Sequence, residues 1–316
     1  NFMKILITGG FGFIGSHVTR DCLAKGYKVY GVDKKTYASN EVLLEEFSNN
    51  ENFFFSCKDI CDMKILPDCD FVINTAAETH VGNSIIDSAE FTRTNILGVQ
   101  NLLELIRKKP SNIAQKPILL QFSTDEVYGD IISGSHTELD PLNPSNPYSS
   151  SKASADLMIK AWARTYGIEY IIVRPTNNYG RYQYPEKLIP LSVKLLKRGK
   201  KIRLHNQGEP TRNWLHVEDT SQAILKIMEH DVKNEIFNIA GSFEQKNIDA
   251  VKKIVSAFDT SVHWKSCVDL DYKRAGQDVR YSLDDSRLRK LGWSPRKSFD
   301  VEIEKIVEFY KNYFIW

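Results

Sequence analysis

Short apolar, β-branched runs alternate with longer amphipathic stretches through the first half of the chain. Lys4–Thr8 (KILIT), Lys28–Asp33 (KVYGVD), Asn52–Ser56 (NFFFS), Phe71–Ala76 (FVINTA), Ile118–Ser123 (ILLQFS) and Glu169–Pro175 (EYIIVRP) have the length and residue types of buried strands. Between them the pattern predicts helices over about Phe13–Lys25, Ala89–Lys108 and Tyr148–Tyr166. Strands alternating with helices predict a parallel sheet covered on both faces. After Pro175 the rhythm loosens, with helices near Glu186–Arg198, Val217–Glu229, Ile248–Phe258 and Val301–Tyr313 and a short strand at Glu235–Ile239. Residues 179–316 read as a smaller C-terminal α/β domain, with segments near 215–240 returning to the sheet domain of residues 1–178.

Composition narrows the function classes. A hydrophobic fraction of 42% over 316 residues supports a large core, and a net charge of +2 argues against nucleic acid or an anionic membrane as partner. No apolar stretch approaches the roughly 20 residues of a membrane span. The five cysteines are odd in number and form no C-x-x-C pair, so they read as free thiols in a reducing compartment rather than as disulfides or a metal site. The expected location is the cytoplasm.

The first candidate chemistry lies between the first strand and the first helix. In ITGGFGFIGSH the glycines fall at Gly9, Gly12 and Gly15, with Phe13 and Ile14 inside the turn. Glycine permits a tight turn and a close backbone approach to a pyrophosphate, and the helix N-terminus then meets the anion. No Gly-Lys-Ser/Thr closes the motif, which excludes a P-loop. Asp33 ends the second strand 18 residues after Gly15, where an acid bonds the adenosine ribose hydroxyls. Its charge repels a 2′-phosphate and favours NAD over NADP, softened by the adjacent Lys34 and Lys35. Asp59 and Ile60, after the third strand, border the adenine or form a plain turn. Together these features make the fold class α/β with a Rossmann-type doubly wound parallel sheet.

Two further clusters carry reactive groups. NPYSSSKASAD places Tyr148 and Lys152 at i and i+4, on one face of a helix. A phenol with an ordinary pKa of about 10 is a poor base. A neighbouring ammonium and a cationic nicotinamide favour its phenolate, which can then take a proton from a sugar hydroxyl as hydride leaves for NAD⁺. The strand Ile118–Ser123 runs into Thr124 and the adjacent carboxylates Asp125 and Glu126, which read either as a surface turn or as a paired acid and base.

With the glycine turn and Tyr148-x-x-x-Lys152 in place, the chain resembles the extended short-chain dehydrogenase/reductase superfamily. STDEVYGD, NPYSSSKASAD, NNYGRYQYPEKLIP and RNWLHVED resemble the nucleotide-sugar 4,6-dehydratases acting on dTDP-glucose or UDP-glucose, and the similarity runs from Lys4 to about Trp293. The resemblance implies Tyr148 as the base at carbon 4 with Thr124 positioning the hydroxyl, Glu126 as the base at carbon 5, Asp125 as the acid to the carbon-6 oxygen, and Lys152 on the nicotinamide ribose. It places Ala76 and Ala77 at the cofactor, with Glu78 beside the substrate. Asn178, Lys187, Leu188, His205, Arg212, Arg274, Asp278 and Tyr281 match nucleotide-sugar contacts, and Asn95 a site asparagine. It implies a homodimer through the helices near 89–108 and 148–166, and a step in rhamnose or other deoxysugar biosynthesis.

Departures within the family favour one nucleotide. Gln277, HVGNS after Thr79, and His205 differ from the dTDP-glucose branch and are closer to the UDP-glucose branch. Rival readings are a UDP-sugar 4-epimerase, which has no use for Asp125 and Glu126, and a non-catalytic NAD-sensing protein, which has no use for the Tyr148/Lys152 pair.

Overall fold

A computed structural model describes residues 2–34, 39–76, 88–110, 112, 115–273 and 280–313. Seven parallel strands form its central sheet: β1 Lys4–Thr8, β2 Lys28–Asp33, β3 Phe53–Cys57, β4 Phe71–Asn74, β5 Ile118–Phe122, β6 Tyr170–Pro175 and β7 Glu235–Ile239. Their order is β7-β6-β5-β4-β1-β2-β3. The helices are α1 Phe13–Ala24, α2 Ser39–Ser48, α3 Gly98–Lys108, α4 Pro147–Tyr166, α5 Leu188–Lys197, α6 Val217–Glu229, α7 Asn247–Phe258 and α8 Phe299–Asn312, with shorter turns between them.

The strand sequences explain why the sheet is covered twice. Ile5, Ile7, Ile73, Leu120, Phe122, Ile171 and Val173 face a core completed by Val18 and Cys22 of α1 and by Ile224 and Met228 of α6. The alternate positions Leu6, Val72, Leu119 and Ile172 face a second core with Leu102, Leu103 and Ile106 of α3 and Ala155 and Ile159 of α4. Alternation puts successive side chains on opposite faces, so a strand buried on both faces must be apolar throughout. The C-terminal segment builds a third core from α5, α7 and α8 through Val193, Ile254, Ile303 and Val307.

The predicted strands and helices match to within two or three residues, and two features differ. Helix α2 escapes the periodicity because it is short and buries only Leu43 and Phe47, one turn apart, against Phe11 and Phe53. The stretch read as one helix over Ala89–Lys108 contains a π turn at Arg93–Leu97, a form that recurs at functional sites. The strand order reverses at β1, which pairs with β2 on one side and β4 on the other. The C-terminal ends of strands at such a switch point open a crevice for ligands.

Candidate active site

The glycine turn opens at that crevice. Gly9 has φ +71°, and a methyl group there would approach the Ala76 nitrogen to 2.8 Å. A methyl on Gly15 would lie 2.0 Å from the Gly9 carbonyl oxygen, so the helix can seat this close only without a side chain. Helix α1 starts at Phe13 and Ile14, after Gly12 at its N-cap position, without a side-chain cap and with no acid in its first turn. Its first N–H groups form the kind of end that accepts an anion. The Asp33 carboxylate accepts from the Phe11 nitrogen at 3.0 Å through Oδ2, pinning the acid beside the turn. Lys34 follows it, half-buried. An uncapped helix end, a turn that excludes side chains and an acid at the end of β2 fit a dinucleotide.

Asp59 and Ile60 carry structural duties. Asp59 accepts from Cys61 N at 2.9 Å and is paired with Arg93. Burial alone would raise its pKa, but these bonds lower it. Ile60 is buried and its carbonyl accepts from Asn101 at 2.7 Å. Ala76 is half-buried behind Gly9, while Ala77, Glu78, Arg274 and Asp278 lie outside the described residues, as do Lys35 and Gln277.

Strand β5, two places from β1 in the sheet, delivers the acid pair at the same edge. Thr124 caps a 3-10 turn over Asp125–Tyr128, accepting from Glu126 N at 3.2 Å and donating to Asp125 Oδ1 at 3.2 Å, so its hydroxyl already serves the turn. Asp125 is 4% exposed. Burial, then the charge of Glu126, pushes its carboxyl up to about 7, against bonds from Thr124 and Thr176 and the charge of Arg212. Burial also raises Glu126, opposed by a bond from Asn146 and by Lys187 and Arg212.

Helix α4 brings in the second pair. Asn146 caps it by accepting from Ser149 N at 2.9 Å, with Pro147 in the first turn. The same asparagine donates from Nδ2 to Glu126 Oε1 at 3.4 Å, joining the helix start to the acid pair. Ser151 donates to the Tyr148 carbonyl at 2.6 Å and receives Asn95 Nδ2 at 3.0 Å, which ties the π turn to Tyr148. Asn146 was not among the site residues expected from sequence; an Asn-Pro pair opening a helix is the signal that could have found it.

The expected downward pull of Lys152 and a cationic nicotinamide on Tyr148 is opposed by the protein's own surroundings. Burial comes first, followed by Glu126, Tyr184 and Asp125, and all four push the phenol upward. Burial lowers Lys152 to about 8, with Asp156 acting in the opposite direction. Lys152 is 3% exposed and donates no side-chain hydrogen bond among the described residues.

Of the expected substrate contacts, Lys187, Arg212 and Tyr281 converge on the acid pair. Burial, then the charge of Glu126, pushes Tyr281 up to about 12, while a bond with Ser145 and the charge of Arg212 pull it down. Leu188 opens α5 and packs against the C-terminal core. His205 is half-buried at the start of a turn over His205–Gly208. The Asn178 amide is committed inward, accepting from Thr220 and donating to the Thr176 carbonyl at 3.0 Å, while its neighbour Asn177 is exposed.

Fold and site define a Rossmann-type short-chain dehydrogenase/reductase of the extended kind. A family model described as GDP-mannose 4,6 dehydratase matches residues 6–306. The chain belongs to that family, and with it to the nucleotide-sugar 4,6-dehydratases, which are hydro-lyases. It is 39% identical to the dTDP-glucose 4,6-dehydratase of Escherichia coli over 99% of this chain and 95% of that one. The dTDP-glucose 4,6-dehydratase of Streptomyces venezuelae, solved with NAD and TYD bound, superposes with a TM-score of 0.90 at 38% identity, covering 98% of each chain. A UDP-glucuronic acid 4-epimerase of Bacillus cereus, solved with UDP-glucuronic acid and NAD, gives 0.89 at 25% identity, covering 98% of this chain and 99% of that one. Among the described residues, no helix is long and apolar enough to cross a membrane.

Proposed function

We propose that the protein dehydrates dTDP-glucose to the 4-keto-6-deoxy nucleotide sugar, with NAD held by the glycine turn and Asp33. The observation that carries this reading is the acid pair beside Tyr148, Asp125 buried and Glu126 half-buried, at the edge of the sheet where the turn opens. A 4-epimerase shares the scaffold at nearly the same TM-score. It has no task for two carboxylates at this place, whereas an elimination needs both a base and an acid.

When bound, NAD supplies the means to oxidise carbon 4 and later to reduce carbon 6. The protein's own groups handle the protons. Tyr148 receives the carbon-4 hydroxyl proton as that carbon is oxidised to a ketone, and the ketone makes the carbon-5 proton acidic. Glu126 takes the carbon-5 proton and returns one to that carbon when carbon 6 is reduced. Asp125 delivers a proton to the carbon-6 oxygen, so that one water leaves and a double bond forms between carbons 5 and 6. Burial and the charge of Glu126 keep Asp125 protonated up to about pH 7, so neighbouring carboxyls divide the two roles. Lys152, a buried cation, is suited to the ribose hydroxyls of the cofactor.

Lys187 and Arg212 lower the pKa of Glu126 by their charge and are suited to the substrate diphosphate, Arg212 through its planar fork. We assign residues 1–178, with the returning segment near 215–240, to the cofactor and residues 179–316 to the nucleotide sugar. A homodimer through α3 and α4 is consistent with Leu97, in the π turn before α3, at 51% and Leu157 of α4 at 58% exposure.

The choice of nucleotide is part of the proposal. His205 and the departures near residues 80–84 and 277 favour UDP-glucose, whereas the E. coli relative at 39% identity is named for dTDP-glucose. The two nucleotides differ by a base methyl, worth only about 1–3 kcal/mol, and by a ribose 2′-hydroxyl; both substrates should turn over with dTDP-glucose the better. Incubation with each, followed by mass and NMR analysis, tests this. Loss of one water with a 4-keto-6-deoxy product supports the reading; a galacto-configured product of unchanged mass contradicts it.

A further inference from the structure

A set of buried bonds lies behind the acid pair and uses none of the groups assigned above; all of its bonds to Asp156 fall on Oδ2, and Oδ1 is buried with no hydrogen-bond partner among the described residues. Ser123, immediately before Thr124, donates to Asp156 Oδ2 at 2.7 Å. Arg174 of β6 donates to the same oxygen from Nε at 3.1 Å, with Nη2 also at 3.1 Å. Its remaining nitrogen, Nη1, donates to Tyr128 Oη at 2.9 Å, and the guanidinium lies 4.9 Å from the centre of the Tyr128 ring. Tyr128 is the last residue of the turn that carries Asp125 and Glu126. Its hydroxyl donates in turn to Asn238 Oδ1 at 2.7 Å. The Asn238 amide cannot rotate away, because Nδ2 is bonded to the carbonyls of His136 and Asp284, both at 3.1 Å.

Asp156 stands one helical turn beyond Lys152 on α4 and is fully buried. Its carboxylate therefore holds the acid-bearing segment at both ends: directly at Ser123, and through Arg174 at Tyr128. A buried ion pair adds little stability compared with apolar residues of the same volume, and its best-attested use is to fix one arrangement among several. A reaction that moves one proton from carbon 4 and another from carbon 5 needs bases on different elements at a fixed separation. Tyr148 is on α4 and Glu126 is on the turn after β5.

We propose that Asp156 and Arg174 form a clamp that sets the position of the Asp125–Glu126 turn against the Tyr148–Lys152 helix, which makes Ser123, Tyr128, Asp156 and Arg174 positioning residues for the elimination. The proposal rests on the dehydratase reading. Loosening one arm should leave oxidation at carbon 4 intact, because Tyr148 and Lys152 share a single helix. It should slow elimination far more than oxidation, because the acid pair is displaced while Tyr148 and Lys152 keep their places.

The test uses the NAD-loaded protein with dTDP-glucose, comparing wild type with Tyr128→Phe, which removes one hydroxyl and keeps the ring. Product formation in the variant should fall by roughly tenfold to a hundredfold, the scale of an ångström-sized misplacement. Reduced cofactor should then accumulate above the wild-type level, because oxidation outruns elimination. Unchanged product formation in the folded variant, or oxidation and elimination falling in proportion, overturns the clamp. If Tyr128→Phe does not fold, Ser123→Ala cuts the other arm and is judged by the same two readings. A wild-type protein that releases no water from dTDP-glucose or UDP-glucose overturns the functional reading instead. An active wild type with unaffected variants overturns the clamp alone.

Discussion

Asp125 and Glu126 are adjacent in the chain and unequal in their surroundings. The charge of Glu126 raises Asp125 to about 7, whereas Glu126 is raised mainly by burial and is held back by Asn146, Lys187 and Arg212. That asymmetry supports the proposed division of roles, Glu126 as base and Asp125 as acid.

If Asp125 is the acid, kcat/KM should fall as pH rises through about 7. Asp125→Asn should lose about 10²–10⁴ in kcat and lose that limb of the profile. Its stability should move the other way. The folded pKa is raised above the ordinary 3.8, so the fold retains a proton that the unfolded chain releases. The contribution of this group to stability is full below about pH 4 and is lost as pH rises to about 7. The Tm of Asp125→Asn should therefore gain on wild type across that window; a constant difference would argue against a raised pKa.

Tyr148→Phe removes the group that receives the carbon-4 proton. Oxidation, followed by the near-ultraviolet absorbance of reduced cofactor, should slow by about 10²–10⁴. Because burial and then Glu126 raise the phenol, Glu126→Gln should shift the pH dependence of oxidation downward. An unchanged profile would mean that the carboxylate does not act on Tyr148.

Gly15→Ala would set a methyl 2.0 Å from the Gly9 carbonyl oxygen. The turn must open, at a cost of about 1–3 kcal/mol, and the cofactor cradle opens with it. A lower Tm together with loss of bound NAD is expected. Full retention of NAD would place the cofactor elsewhere.

Asp33→Asn keeps an acceptor for Phe11 N but removes the charge. Affinity for NAD should fall by about tenfold to a hundredfold, the scale of one charged hydrogen bond, and the discrimination against NADP should shrink. Calorimetric titration of both cofactors decides; an unchanged ratio would remove Asp33 from the ribose site.

Much of this was legible in the sequence because its signals are local. Strands buried on both faces are apolar throughout, and the glycine turn, the acid pair and Tyr148-x-x-x-Lys152 are each contiguous motifs. The clamp was not legible, since Arg174 is 18 residues from Asp156, 46 from Tyr128, and Asn238 is 110 from Tyr128. The upward push on Tyr148 was missed for a similar reason. It depends on burial and on charges from β5 and its turn, which helix spacing does not reveal. Asn178 matched a motif, yet folding turned its amide inward to Thr220.

The central claim is that Glu126 takes the carbon-5 proton, and deuterium at that carbon reports it directly. Wild type and Glu126→Gln, each loaded with NAD, are given dTDP-glucose in D₂O and the sugars are read by NMR. The account predicts a 4-keto-6-deoxy product carrying deuterium at carbon 5 from the wild type. From the variant it predicts substrate recovered with carbon 5 unlabelled, while the absorbance of reduced cofactor still appears. Deuterium at carbon 5, or elimination at the wild-type rate, in Glu126→Gln would contradict it.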